Sequence, residues 1–286
     1  MWTLRRWFVN RERELRVCAD MLKRQTHFSV LGVQGAGGSG KSWFLHRIRA
    51  LCEENNIKSL FFDFNRSYTY LEIMQITRAS LGEQHFGNFD AALRDVLSPS
   101  VRIQVESGAS RASSVELTES VIVSSYIGNI AGRDVLIISG NYLAMTQPEN
   151  INKLGLSHLL TERFIADLAL LVSNMPQPLV WLFDTFENVG DETRNWIVDK
   201  LLTPLVEGKL SNQLAFVSGR RLPFEEIEWD AAAKILRMDA LSVESFGEYL
   251  QLRGLVVPGE VVSLLHKGME GNPQRLAAFV DGYMKG

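Results

Sequence analysis

The run Gly35-Ala36-Gly37-Gly38-Ser39-Gly40-Lys41-Ser42 satisfies the pattern G-x-x-x-x-G-K-[ST] at every fixed position. Glycines let a backbone wrap closely, so that successive N–H groups point inward at phosphate oxygens. Lys41 is expected to reach the terminal phosphates as a point charge, and the Ser42 hydroxyl to hold Mg2+. The helix that follows adds the dipole of its N-terminus to the same anion. Residues 35–42, with Trp43 beside them, are therefore the expected phosphate contacts: Gly35, Ala36, Gly37, Gly38, Ser39, Gly40, Lys41 and Ser42.

A second chemical signal ends an apolar run. Leu179-Val180-Trp181-Leu182-Phe183 suits a strand buried on both faces of a parallel sheet, and Asp184 closes it. A carboxylate there projects beside the phosphate loop, where it can hold Mg2+. Glu187, three residues on, is the candidate to polarise an attacking water; the alternative is a charge in the first turn of the next helix. Asp63 also ends an apolar run, but reads as an ordinary turn-starting residue. The five histidines have no metal-ligand spacing, and no G-x-S-x-G elbow or Cys/His pairing is found. Cys18 and Cys52 read as reduced core thiols.

These residues need a strand, a loop and a helix to place them. Phe28–Val33 is a short apolar run that stops before the glycines, and Trp43, Phe44, Arg47, Ile48 and Leu51 follow at helical spacing. Further strands are expected at 59–64, 214–218 and 234–238. Helices are expected at 70–81, 89–96, 156–173 and 191–206, the last closed by Gly208. Before the first strand, Asn10 is a plausible cap for a helix with Leu15, Cys18, Ala19 and Leu22 on one face. Near the C-terminus Ser242 caps a helix, Pro258 starts another that Lys267-Gly268 should stop, and Asn272-Pro273 begins the last. The serine-rich stretch of about 98–150 breaks this rhythm. Its β-branched runs at 121–123 and 135–138, with turn signals at Gly128-Asn129 and Gly140-Asn141, predict hairpins in an insertion.

Bulk properties set the class. The chain has 286 residues, 46% hydrophobic and 22% charged, as in an ordinary globular protein. A net charge of −3 gives no global reason to expect nucleic acid. No run approaches transmembrane length, and the first residues lack the apolar centre of a signal peptide, so a cytoplasmic protein without a membrane partner is expected.

Together the motifs resemble those of STAND-type P-loop ATPases, the NACHT and NB-ARC groups related to AAA+ proteins. Phe8-Val9-Asn10-Arg11-Glu12 is similar to their "F-V-G-R-E" opening, with Asn10 where glycine is usual. The resemblance implies that Val9 and Asn10 lie against the adenine, and that Pro273 of Gly271-Asn272-Pro273 touches the base as in the family's G-x-P motif. It implies also that an arginine after the strand at 214–218 senses the γ-phosphate; Arg220 matches best, with Arg221 as the alternative. The implied fold is α/β: a P-loop parallel sheet flanked by helices over residues 1–238, including the insertion, and a helical lid over 239–286. The implied function is a slowly hydrolysing switch, closed with ADP and open with ATP, using Mg2+, assembling with its own kind in the ATP form and answering an effector or sensor partner. Two alternatives stand beside it: an AAA+ motor acting on nucleic acid or protein, and a non-catalytic interaction module. The intact Lys41, Ser42 and Asp184 argue against the last.

Overall fold

A computed structural model describes residues 11–97, 126–130, 133–138, 141–144, 153–223, 229 and 232–284. Its contacts divide the chain into two compact units, residues 1–67 with 175–286, and residues 68–174.

The first unit is built on a five-stranded sheet in the order β2-β6-β7-β1-β8, where β1 is Val30–Gln34, β2 Ser59–Asp63, β6 Leu179–Asp184, β7 Gln213–Gly219 and β8 Ala233–Arg237. All its pairings are parallel. Such a sheet needs long crossovers and buries both faces, which explains why every residue of β6 and β7 is buried. One face packs on α1 (Glu12–Leu22) and α2 (Lys41–Glu54) through Cys18, Met21, Phe44, Leu45, Ile48 and Cys52. The side chains alternate along β6, so Val180 and Leu182 join that core while Trp181 and Phe183 stack with Phe62 on the other face. The Trp181 indole N–H donates to Gln213 Oε1 at 2.9 Å, satisfying a buried donor. Burial pushes the Cys52 thiol up to about 12 and the Cys18 thiol higher still, so both are protonated and inert at neutral pH.

Because the strands are parallel, their C-terminal ends share one edge of the sheet. The phosphate-loop sequence leaves β1 there, flanked by β7 on one side and β8 on the other. Ligands of open α/β sheets bind at this edge.

The same unit ends in three helices: α8 (Val243–Leu252), α9 (Gly259–Met269) and α10 (Pro273–Tyr283). Their small core comprises Leu241, Phe246, Tyr249, Leu250, Val262, Leu276 and Val280. Ser242 caps α8 through the Ser245 N–H, and Asn272 caps α10 through the N–H groups of Gln274 and Arg275. The expected stop at Lys267-Gly268 comes later. α9 runs through Met269 and turns at Glu270 and Gly271, both left-handed, because those residues supply the positive φ that ends it.

The span expected as one helix at 191–206 is broken into α6 (Asp191–Ile197), a π segment (Val198–Leu202) and α7 (Thr203–Val206). Pro204 has no N–H to donate to the fourth carbonyl before it, so the ladder shifts upstream.

The second unit holds α3 (Tyr70–Leu81), α4 (Gly87–Leu97), α5 (Lys153–Ser173) and a three-stranded antiparallel sheet of β3 (Tyr126–Ile130), β4 (Arg133–Ile138) and β5 (Asn141–Ala144). Thr69 and Glu72 form a capping box on α3. Gly128-Asn129 is not a turn but lies inside β3, opposite Val135 and Asp134. The antiparallel register continues through Ile127 with Leu136 and Tyr126 with Ile137, so a ladder rather than a turn takes these two residues. Residues 121–123 lie outside the described residues. No described helix is long and apolar enough to cross a membrane.

Candidate nucleotide site

The loop between β1 and α2 is shaped by positive φ at Gly38 (77°) and Gly40 (95°), which residues with side chains rarely adopt. The carbonyls of Gly35, Ala36, Gly37, Gly38 and Gly40 are engaged, the last by the Phe44 N–H at 2.9 Å. The Lys41 ammonium donates to Gly35 O at 2.8 Å and Ala36 O at 2.9 Å, and Ala36 O also accepts from the Ser39 N–H. Gly37 O accepts from Asn272 Nδ2 at 3.1 Å, and Gly38 O from the Gln274 N–H at 3.3 Å. By contrast, no hydrogen bond among the described residues claims the N–H groups of Ala36, Gly37, Gly38 or Gly40. The buried Ser39 hydroxyl has no partner either. Buried polar groups are normally paired, so a loop with five carbonyls engaged and several donors unclaimed suits an anion.

Asp184, at the end of β6, is buried. Its Oδ1 accepts from the Thr185 N–H at 2.9 Å and from the Ser218 hydroxyl of β7. Thr185 is left-handed (φ 57°), an uncommon conformation for a β-branched residue, and the chain then enters a short 3-10 turn carrying Glu187. Glu187 Oε2 accepts from the Arg220 N–H at 3.1 Å, and its Oε1 lies 3.5 Å from Arg220 Nε. Arg220 in turn overhangs the loop: a β-carbon at Gly37 would stand 3.1 Å from Arg220 Nη2. Burial holds the Lys41 ammonium below its ordinary pKa; Glu187 opposes that shift, Arg220 adds to it and Asp184 opposes it. Lys41, Asp184, Glu187 and Arg220 thus share one electrostatic neighbourhood. Asp63 binds its own Asn65 and makes an ordinary turn, as its sequence position suggests.

Two cavities adjoin the loop. One, of about 390 Å3, is lined by residues 38–43, so Ser42 and the half-exposed Trp43 face it, together with Arg11, Met238, Leu241, Tyr249 and Pro273. The other, of about 470 Å3, is lined by residues 34–37, Arg220 and residues 237–240, and shares Ser39, Met238 and Pro273 with the first. Both fall within the usual size of small-molecule sites. Val9 and Asn10 lie outside the described residues, and α1 starts at Glu12 with Arg11 in the cap position.

Several lining residues escaped the sequence reading. Arg11 is buried, and its guanidinium donates to the Asp239 carbonyl, a contact across 228 positions. Met238, Leu241, Tyr249 and Leu276 have the plain signature of core residues. Ser218, which lines neither cavity but holds Asp184, has only the signature of a strand residue. The signal for Arg11 was its place in the Phe8–Glu12 segment; the others carried none.

No protein-family model matches the chain, and no curated protein matches it. Among solved structures it is similar to Cdc6p from Pyrobaculum aerophilum (11% identity, TM-score 0.45, 88% of this chain and 53% of that one). It is likewise similar to a signal transduction ATPase with numerous domains, bearing a tetratricopeptide repeat sensor, from Pyrococcus horikoshii (14% identity, TM-score 0.44, 94% of this chain and 29% of that one). The chain thus spans about half of the first structure and under a third of the second. With TM-scores under 0.5, neither likeness carries weight for the site; the glycine loop leaving an interior parallel strand does. The fold is that of an α/β P-loop module.

Proposed function

We propose that this chain is an adenine-nucleotide-binding switch module of STAND type that hydrolyses ATP slowly. The observation that carries the reading is the set of unclaimed N–H groups at Ala36, Gly37, Gly38 and Gly40 around Lys41. Such donors complement phosphate oxygens, and the first turn of α2 adds to them. To bind phosphate, Lys41 exchanges the carbonyls of Gly35 and Ala36 for anionic oxygens, which its positive charge favours. Ser42 and Asp184 are the metal-side pair, and bound Mg2+ supplies charge neutralisation on the phosphates. The base belongs in the cavity with Trp43, Tyr249 and Pro273, and Val9 and Asn10 complete that side in this reading. No acidic side chain is among the described residues lining that cavity, so the N–H donors of a guanine ring would find no carboxylate there. Adenine is the better match.

Arg220 is the candidate sensor of the γ-phosphate and Glu187 the candidate base. Their mutual contacts support slow turnover: Glu187 must leave the Arg220 guanidinium and N–H before it can polarise water. Residues 239–286 act as the lid on a core over 1–238. Opening in the ATP form, assembly of like subunits and an effector or sensor partner complete the proposal.

The test is to identify the nucleotide released from purified protein, wild type beside Lys41→Ala. Wild type should retain or bind adenine nucleotide with Mg2+, and the variant far less; equal binding would remove Lys41 from its role. Glu187→Gln should keep binding and slow hydrolysis, and unchanged turnover would reassign the base. Fast hydrolysis stimulated by a polymer would move the reading to a motor.

A further inference from the structure

The side chain of Asn272 does two things at once. Its Oδ1 caps α10, accepting from the Gln274 N–H at 2.9 Å and the Arg275 N–H at 3.2 Å. Its Nδ2 donates 3.1 Å away to Gly37 O, in the middle of the glycine loop and 235 positions distant in sequence. The next residue but one repeats the connection, with the Gln274 N–H on Gly38 O. Fit is tight, since a β-carbon on Gly38 would stand 2.7 Å from Asn272 Oδ1.

Asn272 is presented by a braced support. Gly271, left-handed at φ 63°, gives its carbonyl to the Leu241 N–H and its own N–H to His266 O. The His266 ring closes the brace through Nε2 on Leu241 O at 2.7 Å and an edge-on contact with Phe246. A side chain at Gly271 would meet both His266 Nε2 and Leu241 O at 2.8 Å. The capping residue is therefore held by the core of the three C-terminal helices rather than swinging on a free turn.

A planar trans peptide points its C=O and N–H in opposite directions. Fixing Gly37 O toward α10 therefore turns the Gly38 N–H away from α10, and that N–H is one of the loop donors without an acceptor. We infer that Asn272 is a positioning residue: through its amide it sets the orientation of the Gly37–Gly38 peptide and so keeps a phosphate-binding donor aimed, tying loop order to the seating of α10. This inference rests on the nucleotide reading of the same site. It adds a residue that acts on the phosphate end, distinct from the base-side role given to its neighbour Pro273. It also gives the lid a route to the phosphate end that does not pass through the base.

The two functions of the side chain can be separated. Serine is as good a helix cap as asparagine, but it lacks the amide donor and is shorter. Four proteins are compared: wild type, Asn272→Ser, Asn272→Ala and Lys41→Ala. Thermal unfolding and amide hydrogen exchange of the peptide spanning 35–42 are followed without nucleotide, and ADP affinity by calorimetry. Asn272→Ser should melt within about 2 °C of wild type, because the cap survives. Its loop should nonetheless exchange faster, and ADP should bind about fivefold more weakly, the worth of one neutral hydrogen bond. Asn272→Ala should show the same loop and affinity changes with a lower melting point. Wild-type exchange and affinity in Asn272→Ser would overturn the inference, as would affinity losses that merely follow the melting points of the two variants. If Asn272→Ser matches wild type while Lys41→Ala has lost ADP, the tether alone is wrong. If Lys41→Ala binds ADP like wild type, the nucleotide reading falls and the inference with it.

Discussion

Replacing Asp184 separates what its carboxylate does for the fold from what it would do for a metal. Both described hydrogen bonds to the side chain, from the Thr185 N–H and the Ser218 hydroxyl, end on Oδ1. An amide in place of the carboxylate would keep an oxygen there, so Asp184→Asn retains both acceptor contacts and loses only the charge. Asp184→Ala removes the acceptor and leaves two donors in a place where Ser218 is wholly buried. Each unsatisfied donor costs about 1–3 kcal/mol, so the alanine variant should lose roughly 2–6 kcal/mol and the asparagine variant about 1 kcal/mol or less. Against a typical total of about 5–15 kcal/mol, the first is a large fraction and the second is not. Urea unfolding reads the difference directly, as a drop in midpoint at unchanged slope. ADP and ATP titrations with and without Mg2+ then test the chemistry: Asp184→Asn should fold like wild type yet lose most of the benefit of Mg2+. Equal stability of the two variants would refute the hydrogen-bond reasoning. A full Mg2+ effect in Asp184→Asn would remove Asp184 from the metal side.

Lys41→Met should raise stability near neutral pH while abolishing nucleotide binding, because it removes a half-buried charge whose pKa is held below 10.5 by burial. The sign follows from linkage. Between the lowered folded value and 10.5 the unfolded chain binds more protons, so wild-type stability rises with pH and the advantage of Lys41→Met should shrink toward pH 10.5 in a series of melting curves. A constant advantage would contradict it. Gly38→Ala should cost at least about 1–2 kcal/mol for a left-handed backbone, and calorimetry should find ADP binding weakened as the new methyl presses on Asn272. Thr185→Gly should relieve the left-handed strain between Asp184 and Glu187. About 1 kcal/mol of stabilisation is expected from chemical denaturation, and a loss would show that the contact from Asn65 Nδ2 to the Thr185 hydroxyl outweighs it.

Local residue patterns were enough to place most strands and helices in their order and the glycine loop between the first strand and its helix. Gly35–Ser42 needs only local backbone freedom and a following helix, and both are written in adjacent residues. Leu179–Asp184 was readable for a similar reason, since a strand buried on both faces must be apolar throughout. The π segment at Val198–Leu202 and the strand character of Gly128-Asn129 were not readable, because a proline's missing donor and a cross-strand register act on residues whose own preferences point elsewhere. The company that these motifs keep came from packing alone. That Ser218 holds Asp184, that Arg220 pairs with Glu187, and that Asn272 reaches Gly37 are facts about strands and helices brought together from distant parts of the chain. A serine inside a strand and an asparagine at a helix cap look alike in every sequence; parallel packing, which gathers all the strand ends at one edge, turned them into neighbours of the phosphate loop.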